Sequence, residues 1–275
     1  MQVTTIKNFV LFPISSTIEL RTFIFTIERR LLLLTSISSS KFKTQKTAFY
    51  VLLTYIICQL STLILVFIPE LKDFLLQTIS APTRQEQIIK LSGWWSTIAF
   101  AVAFIVCFLL ISRNKQFWTI FKGEKASIGK SIGWGIIGFF LVFLGQTIGA
   151  YIELAIGIDM GSENTEDIMA VTKVAPVMII ATVFIGPVLE ELVFRRVIFG
   201  SIIQSYNFWI ASIVSAIVFA AIHLDFTHIL LYTICGMIFA FLYNKTKRII
   251  TPIIAHVLLN GFVTFVQMNA DKFQV

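Results

Sequence analysis

Residues 174–200, VAPVMIIATVFIGPVLEELVFRRVIFG, are the most informative stretch of this chain. They form an apolar run that is interrupted by Glu190, Glu191, Arg195 and Arg196, with apolar residues continuing beyond the charges. A transmembrane helix needs about 20 predominantly apolar residues, so this run is long enough to enter a bilayer. Ionisable side chains are costly in lipid and usually have a function there. The run therefore predicts a membrane helix that carries a functional site.

The composition of the whole chain indicates an integral membrane protein. Hydrophobic residues make up 57% of the sequence, charged residues only 13%, and the mean hydropathy is +0.86. A soluble protein of this composition would expose large apolar patches. The net charge is +7, but Lys and Arg lie in connections between apolar runs, which favours membrane topology over nucleic-acid binding.

Apolar runs of sufficient length recur along the chain and predict the fold class. We expect an all-α, polytopic transmembrane helical bundle of about seven spans. The windows are residues 48–68, 93–112, 132–157, 174–200, 207–223, 227–244 and 251–268.

Charge and polarity divide the chain into four predicted parts. These are a basic interfacial N-terminal segment (1–47), scaffold helices (48–173), a helical core rich in polar motifs (174–268) and a short C-terminal tail (269–275). In the scaffold, the one ionisable group expected inside a span is Glu153, near an outer helix end.

Basic residues collect before residue 48, between 113 and 130, and at 245–248, which predicts a cytoplasmic N-terminus.

Helical periodicity separates the two neighbouring acids of the first motif. Glu191 and Arg195 are four residues apart, share a face and can form an ion pair. Glu190 is turned about 100° away from that partner and is therefore the better candidate for a base that accepts a proton from water. The alternative is that the four charged residues only mark the cytoplasmic end of the helix.

Two further motifs place histidines on apolar helices. In Phe219-x-x-x-His223 the aromatic ring lies one turn below the imidazole and can fix it, although a histidine at the outer interface beside Asp225 is an open alternative. His228 belongs to no motif and is expected at the interface.

The last motif, His256-x-x-x-Asn260, places two hydrogen-bond donors on one face, as an oxyanion requires. The alternative is a pair that only joins two helices.

Thr251 and Pro252, which precede this motif, predict a cap residue followed by proline at the first helical position. Counting 1.5 Å per residue from the predicted turns puts His256 about 6 Å, Glu190 about 15 Å and His223 about 24 Å deep, so these depths do not converge.

The three motifs in this order resemble the CPBP (Abi) family of intramembrane CAAX-prenyl endopeptidases and bacteriocin-processing proteins. The stretches E190-E191-L-V-F-R195, F219-A-A-I-H223 and H256-V-L-L-N260 match the family patterns EExxxR, FxxxH and HxxxN/D at every defining position. The resemblance covers residues 174–268. It implies an endopeptidase in which Glu190 and His223 activate water, His256 and Asn260 stabilise the oxyanion, and Glu191 and Arg195 support them.

The residue types also bear on mechanism and cofactor. No Ser or Cys lies in the motifs, which argues against a covalent intermediate. Cys58, Cys107 and Cys235 have no zinc-binding spacing and are expected to be buried apolar residues. We expect a metal-free, glutamate-activated water, with zinc as the open alternative, since two His and a Glu could bind it although HExxH is absent.

The expected substrate is a peptide or a membrane-associated protein, and the expected partners are membrane lipids and no nucleic acid. The resemblance favours a bacterial plasma membrane and the maturation of a peptide. A non-proteolytic membrane partner that regulates a sensor kinase or another membrane protein is the main alternative. A proton-coupled transporter is less favoured, because inverted repeats are not evident in the sequence.

Overall fold

The computed structural model describes residues 39–273, with side chains for residues 44–270 and 272. Within that range the chain is α-helical and contains no strand, as the sequence predicts. Contacts divide the chain into two units, Met1–Gln45 and Lys46–Val275. Most of the predicted interfacial segment, 1–47, lies outside the described residues.

The helices follow one another with short connections. In chain order they are α1 (Ser39–Leu60), α2 (Leu63–Phe67), α3 (Pro69–Leu76), α4 (Arg84–Ser112), α5 (Ile128–Ala155), α6 (Glu163–Val174), α7 (Gly186–Glu190), α8 (Gly200–Ile202), α9 (Phe208–Ala221), α10 (Ile229–Thr246), α11 (Ile250–Met268) and α12 (Ala270–Phe273). A 3-10 turn, Lys115–Trp118, precedes α5, and two π-helical segments, Ile180–Ile185 and Glu191–Phe199, flank α7.

Long apolar helices confirm a membrane bundle, but the predicted number of about seven spans is not confirmed. In the described part of the chain, four helices are long and apolar enough to cross a membrane, namely α4, α5, α10 and α11. Helix α9 is apolar but shorter, at 14 residues. The outer faces of α4 and α5 expose many large apolar side chains, as lipid contact requires.

The run 174–200 is not the single straight span that its composition predicts. Helix α6 ends at Val174, and Ala175 leaves the helical region with φ −128° and ψ 80°. Pro176 explains this break, because a proline disfavours helical geometry in the residue before it. The chain then continues as the π segment Ile180–Ile185, α7 and the π segment Glu191–Phe199. π-Helical turns are rare and occur frequently at functional sites.

Glycines let the long helices approach each other closely. A Cβ added at Gly138 of α5 would lie 2.5 Å from Leu242 Cδ1 on α10, and one at Gly135 would lie 2.7 Å from Ile254 Cβ on α11. Between α9 and α10, a Cβ at Gly236 would lie 2.9 Å from Ala216 Cα. Small residues at such crossings are typical of membrane helix pairs. Helices α5, α9, α10 and α11 thereby form a close-packed group beside the π segments.

The starts of α9 and α11 differ in how they are capped. Asn207 caps α9, its side chain accepting the N–H of Ile210. Thr251, the predicted cap of the last long helix, is wrong, because α11 already begins at Ile250. The buried Thr251 hydroxyl instead donates to Ser131 O at 3.2 Å and accepts from Thr246 Oγ1 at 2.9 Å, so it joins neighbouring helices.

Candidate active site

A cavity of about 1070 Å³ lies among the helices of the Lys46–Val275 unit. Four of the predicted site residues line it: Glu190, His223, His256 and Asn260. The other two, Glu191 and Arg195, have fully buried side chains behind the wall. Residues from three separate motifs therefore lie around or directly behind one cavity.

Glu191 and Arg195 form the ion pair that their spacing predicts. Glu191 Oε2 lies 3.1 Å from Arg195 Nε, and neither side chain is accessible to solvent. The contact lacks hydrogen-bond geometry, and the guanidinium nitrogens have no other hydrogen-bond partner among the described residues. The guanidinium instead faces two aromatic rings, with its carbon 4.6 Å from the centre of Phe219 and 5.2 Å from that of Phe239. Cation–π attraction and the carboxylate together stabilise this buried charge.

His256 connects the two acids of the first motif. Its Nδ1 lies 3.0 Å from Glu191 Oε1, and its Nε2 lies 3.6 Å from Glu190 Oε2. The ring is stacked on Phe239 at 4.6 Å between centres, which fixes its plane. An ionised carboxylate only accepts hydrogen bonds, so His256 Nδ1 carries a hydrogen and Nε2 is the atom directed at Glu190. Glu190, which has no ion-pair partner on its own helix, thus lies opposite this imidazole.

His223 lies in the turn that follows α9. Its Nδ1 is 2.8 Å from Phe219 O, and because a carbonyl oxygen only accepts, Nδ1 carries the hydrogen. In the neutral ring, Nε2 is then an acceptor. No ion pair joins His223 to a carboxylate within the described part of the chain. His223 therefore shares the cavity with Glu190 without forming an ion pair with it.

Asn260 ties α11 to the first π segment. Its Nδ2 donates to Thr182 O at 2.9 Å. An amide nitrogen has two hydrogens, so one N–H and the Oδ1 acceptor remain. The side chain is partly buried in the cavity wall, where these groups can meet a substrate.

The predicted depths of these residues, which do not converge, are wrong for Glu190 and His256. The two side chains are 3.6 Å apart. The count assumes a regular α-helix between Glu190 and the turn that follows residue 200, whereas Glu191–Phe199 is π-helical.

A buried acid and histidine pair in the same cavity belongs to none of the three motifs. Glu153 Oε2 lies 2.7 Å from His228 Nδ1, and Glu153 Oε1 accepts the N–H of Leu231 at 3.1 Å. Both side chains are buried within the protein, and the expectation that His228 lies at the membrane interface stays a prediction. Glu153 stood out as a lone carboxylate in an apolar run, but its partner is 75 residues away and no local pattern connects them.

Tyr232 also lines the cavity and was not indicated by any motif. Its ring is stacked on His223, with centres 4.0 Å apart and an angle of 25° between planes. Its hydroxyl lies 2.8 Å from Ser162 Oγ and accepts from Asn164 Nδ2 at 3.3 Å.

The three cysteines are buried and free, as predicted. Among the described residues, no three His, Cys, Asp or Glu side chains group as metal ligands would. His256 Nδ1 is directed at Glu191, and Glu191 itself faces Arg195, so Glu190 and His256 remain as a pair. A structural or catalytic zinc normally has at least three protein ligands, so Glu190 and His256 alone would not hold one, and the metal-free mechanism stays a prediction.

An α-helical membrane bundle with acids, imidazoles and an amide around an internal cavity fits the class of intramembrane proteases. Comparison with known sequences agrees with this class. Residues 172–262 match the family described as Type II CAAX prenyl endopeptidase Rce1-like. The chain belongs to this CAAX protease family.

Two relatives support the assignment. The Bacillus subtilis (strain 168) protein named "Putative membrane peptidase YdiL" is 42% identical over 226 residues, which cover 82% of this chain and 91% of that protein. The "Membrane-embedded CAAX protease MroQ" of Staphylococcus aureus (strain USA300) is 40% identical over 144 residues, covering 50% of this chain and 58% of that protein. No solved structure matches the chain.

Proposed function

We propose that this membrane protease is an endopeptidase that hydrolyses a peptide bond with a water molecule activated in the cavity by Glu190 and His223. The observation that carries the proposal is the contact of Glu190 with His256, 3.6 Å apart in the wall of a cavity that His223 and Asn260 also line. A base and hydrogen-bond donors on one cavity are the groups that this reaction needs.

The first step is attack by water on the scissile carbonyl carbon. Glu190 accepts one proton of the water as the new C–O bond forms, and the unprotonated Nε2 of His223 accepts a hydrogen bond from the same water. The side chain of Glu190 is 15% exposed, whereas that of Glu191 is fully buried and held by Arg195 and His256. Glu190 is therefore the acid of this pair that can meet a water molecule.

The second step is stabilisation of the oxyanion. Asn260 has one amide N–H that Thr182 does not use, and it can donate to the negative oxygen. His256 donates as well when its Nε2 carries a proton. Because Glu190 is protonated at this stage, the charges of Glu191, Arg195 and His256 sum to +1, which balances the charge of the oxyanion. Donors of this kind each lower the barrier by about 3–4 kcal/mol.

The third step is breakage of the C–N bond. The protonated Glu190 returns its proton to the leaving amine, so the products are a carboxyl terminus and an amine, and the enzyme regains its starting state. Arg195 and Glu191 keep His256 in place throughout through the contact at Nδ1.

The apolar walls of the cavity favour a hydrophobic or membrane-associated peptide as the substrate. Leu52, Phe100, Phe143, Leu259 and Phe262 are among the residues that line it. We place the protein in the plasma membrane of a bacterium, with the N-terminus in the cytoplasm and lipids around the bundle.

The variant Glu190→Gln tests the proposal. It keeps the shape of the side chain but removes the proton acceptor, so we expect cleavage to fall by at least about 100-fold. Peptides and membrane proteins from cells with wild-type or variant protein are compared by mass spectrometry, with Glu124→Gln, an exposed loop residue, as the matched control.

Fragments that vanish only in Glu190→Gln support the protease and identify its substrate. Identical fragments in all three strains, with normal amounts of protein in the membrane, would contradict it. They would support the non-proteolytic membrane partner instead.

A further inference from the structure

We infer that Tyr232 is a positioning residue that holds the His223 imidazole in its reactive orientation. This inference rests on the proposed role of His223 in activating water. The observation behind it is the face-to-face stack of the two rings in the cavity wall, with centres 4.0 Å apart and planes 25° apart.

His223 needs such support because the helix that carries it has already ended. Helix α9 stops at Ala221, and Leu224 adopts the left-handed region with φ 55°, which bulky residues rarely do. The ring makes a 2.8 Å contact from Nδ1 to Phe219 O, and the Phe219 ring lies edge-on to it at 4.8 Å. These contacts fix one edge of the imidazole. A second ring stacked on the face of the imidazole is needed to limit rotation of its plane.

Tyr232 covers that face and is itself anchored. It lies in the first turn of α10, and its hydroxyl is held by Ser162 Oγ at 2.8 Å and Asn164 Nδ2 at 3.3 Å. Ser162 caps α6, with its side chain accepting the N–H of Thr165. The position of the imidazole is thereby coupled to the start of α6, a helix that carries none of the three motifs.

The stack explains how Nε2 of His223 stays directed into the cavity. With Nδ1 bonded to the Phe219 carbonyl, Nε2 is the acceptor, and the tyrosine ring prevents the imidazole from turning away from that carbonyl. A displacement of about 1 Å in a group of this kind can reduce a rate about 100-fold.

The experiment uses the full-length protein in lipid nanodiscs, labelled with 15N at histidine. The chain has only three histidines, so each ring is assigned with one His→Gln variant. We expect His223 to show the Nδ1–H tautomer in the wild type and in Tyr232→Phe, which keeps the aromatic face. In Tyr232→Leu we expect the nitrogen shifts of His223 to move towards those of a tautomer mixture. Tyr206→Leu, at an exposed tyrosine, is the control and is expected to leave all three rings unchanged.

Kinetics on the substrate identified with Glu190→Gln provide the second measurement. We expect kcat of Tyr232→Leu to fall about 10- to 100-fold with KM within about twofold, and Tyr232→Phe to keep kcat within about threefold. Wild-type nitrogen shifts for His223 in Tyr232→Leu would overturn the inference, as would an unchanged kcat.

A wild-type measurement covers the case in which Tyr232→Leu does not fold. The ring current of a stacked tyrosine shifts the carbon-bound protons of His223 upfield, and the absence of this shift would overturn the inference. The nitrogen shifts need no substrate, so they test the positioning separately from proteolysis. A loss of cleavage in Glu190→Gln with normal kcat in Tyr232→Leu would leave the proposed function intact and reject the positioning role.

Discussion

Arg195 shows most clearly what a single residue contributes to this site. Its guanidinium is fully buried between the rings of Phe219 and Phe239 and beside Glu191. Glu191 in turn holds His256 Nδ1, so the arginine acts on the imidazole through one carboxylate. The i, i+4 spacing in the sequence predicts this ion pair. It cannot predict the aromatic rings, because Phe239 lies on another helix and carries no polar signal.

Removing Arg195 should destabilise the protein strongly. Arg195→Met leaves the carboxylate of Glu191 without its partner charge, and breaking a buried pair in this way costs about 3–5 kcal/mol. Arg84→Met is the matched control, because Arg84 pairs with Asp73 at 2.7 Å with side chains 58% and 57% exposed. Such an exposed pair contributes at most about 1 kcal/mol. Thermal unfolding in detergent measures the loss of stability in each variant. An equal loss in the two variants would contradict the buried ion pair of Glu191 and Arg195.

Glu153 and His228 form a pair that the sequence does not predict. Composition marks Glu153 as unusual, yet it predicts neither the 2.7 Å contact with His228 nor the bond to the N–H of Leu231. Contacts between residues so far apart in sequence depend on how the helices pack. A sequence motif contains only residues that lie near one another in the chain. The other contacts of a site are set by how the helices pack.

At the scale of elements, apolar runs predict the positions of several helices well. The windows 132–157, 227–244 and 251–268 correspond to α5, α10 and α11 within a few residues. The run 174–200 does not correspond to one helix, because hydropathy does not distinguish an α-helix from a π-helix or detect the break at Ala175. Proline at 176 was visible in the sequence and is the signal that could have located the break.

The crossing of α9 and α10 gives a prediction at this scale. Gly236→Ala places a Cβ 2.9 Å from both Cα and Cβ of Ala216, so the two helices must separate. We expect a loss of about 1–3 kcal/mol in unfolding free energy, as for overpacking elsewhere. Denaturant unfolding in micelles measures the change.

Gly133→Ala on α5 is the control for that experiment. A Cβ at Gly133 has no atom within 4 Å, so the substitution should stabilise the helix by about 0.5–1 kcal/mol. A Gly236→Ala protein as stable as the wild type would show that the helices do not approach as closely as described.

At the scale of the whole molecule, the sequence predicts an all-α membrane protein, and the structure and the family agree. The orientation in the membrane stays a prediction that rests on where Lys and Arg collect. In the structure, Lys247 Nζ donates to Lys122 O at 2.7 Å, and Arg248 Nε donates to the carbonyl of Ala126. Two of the basic connections therefore lie side by side, which fits their placement on one face of the membrane.

Labelling with a membrane-impermeant maleimide tests this orientation. The native cysteines are all buried and free, so their background reaction should be low. We expect Lys122→Cys to react only in inside-out vesicles and Asp167→Cys, at an exposed position of α6, only in intact cells. The reverse pattern would place the N-terminus outside.

The π-helical segment Glu191–Phe199 lets the chain tolerate the loss of one residue. A π turn accommodates one residue more than an α turn, so it behaves like a helix with an extra residue inserted. Deleting one residue from this segment should therefore give a regular α-helix that still spans the same distance and still packs its apolar side chains. The residues on either side of the deletion would keep their register, because the deletion removes the residue that the π turn accommodates. A frame-preserving loss of a single codon here would therefore yield a protein that folds in the membrane, with only the geometry inside the segment changed.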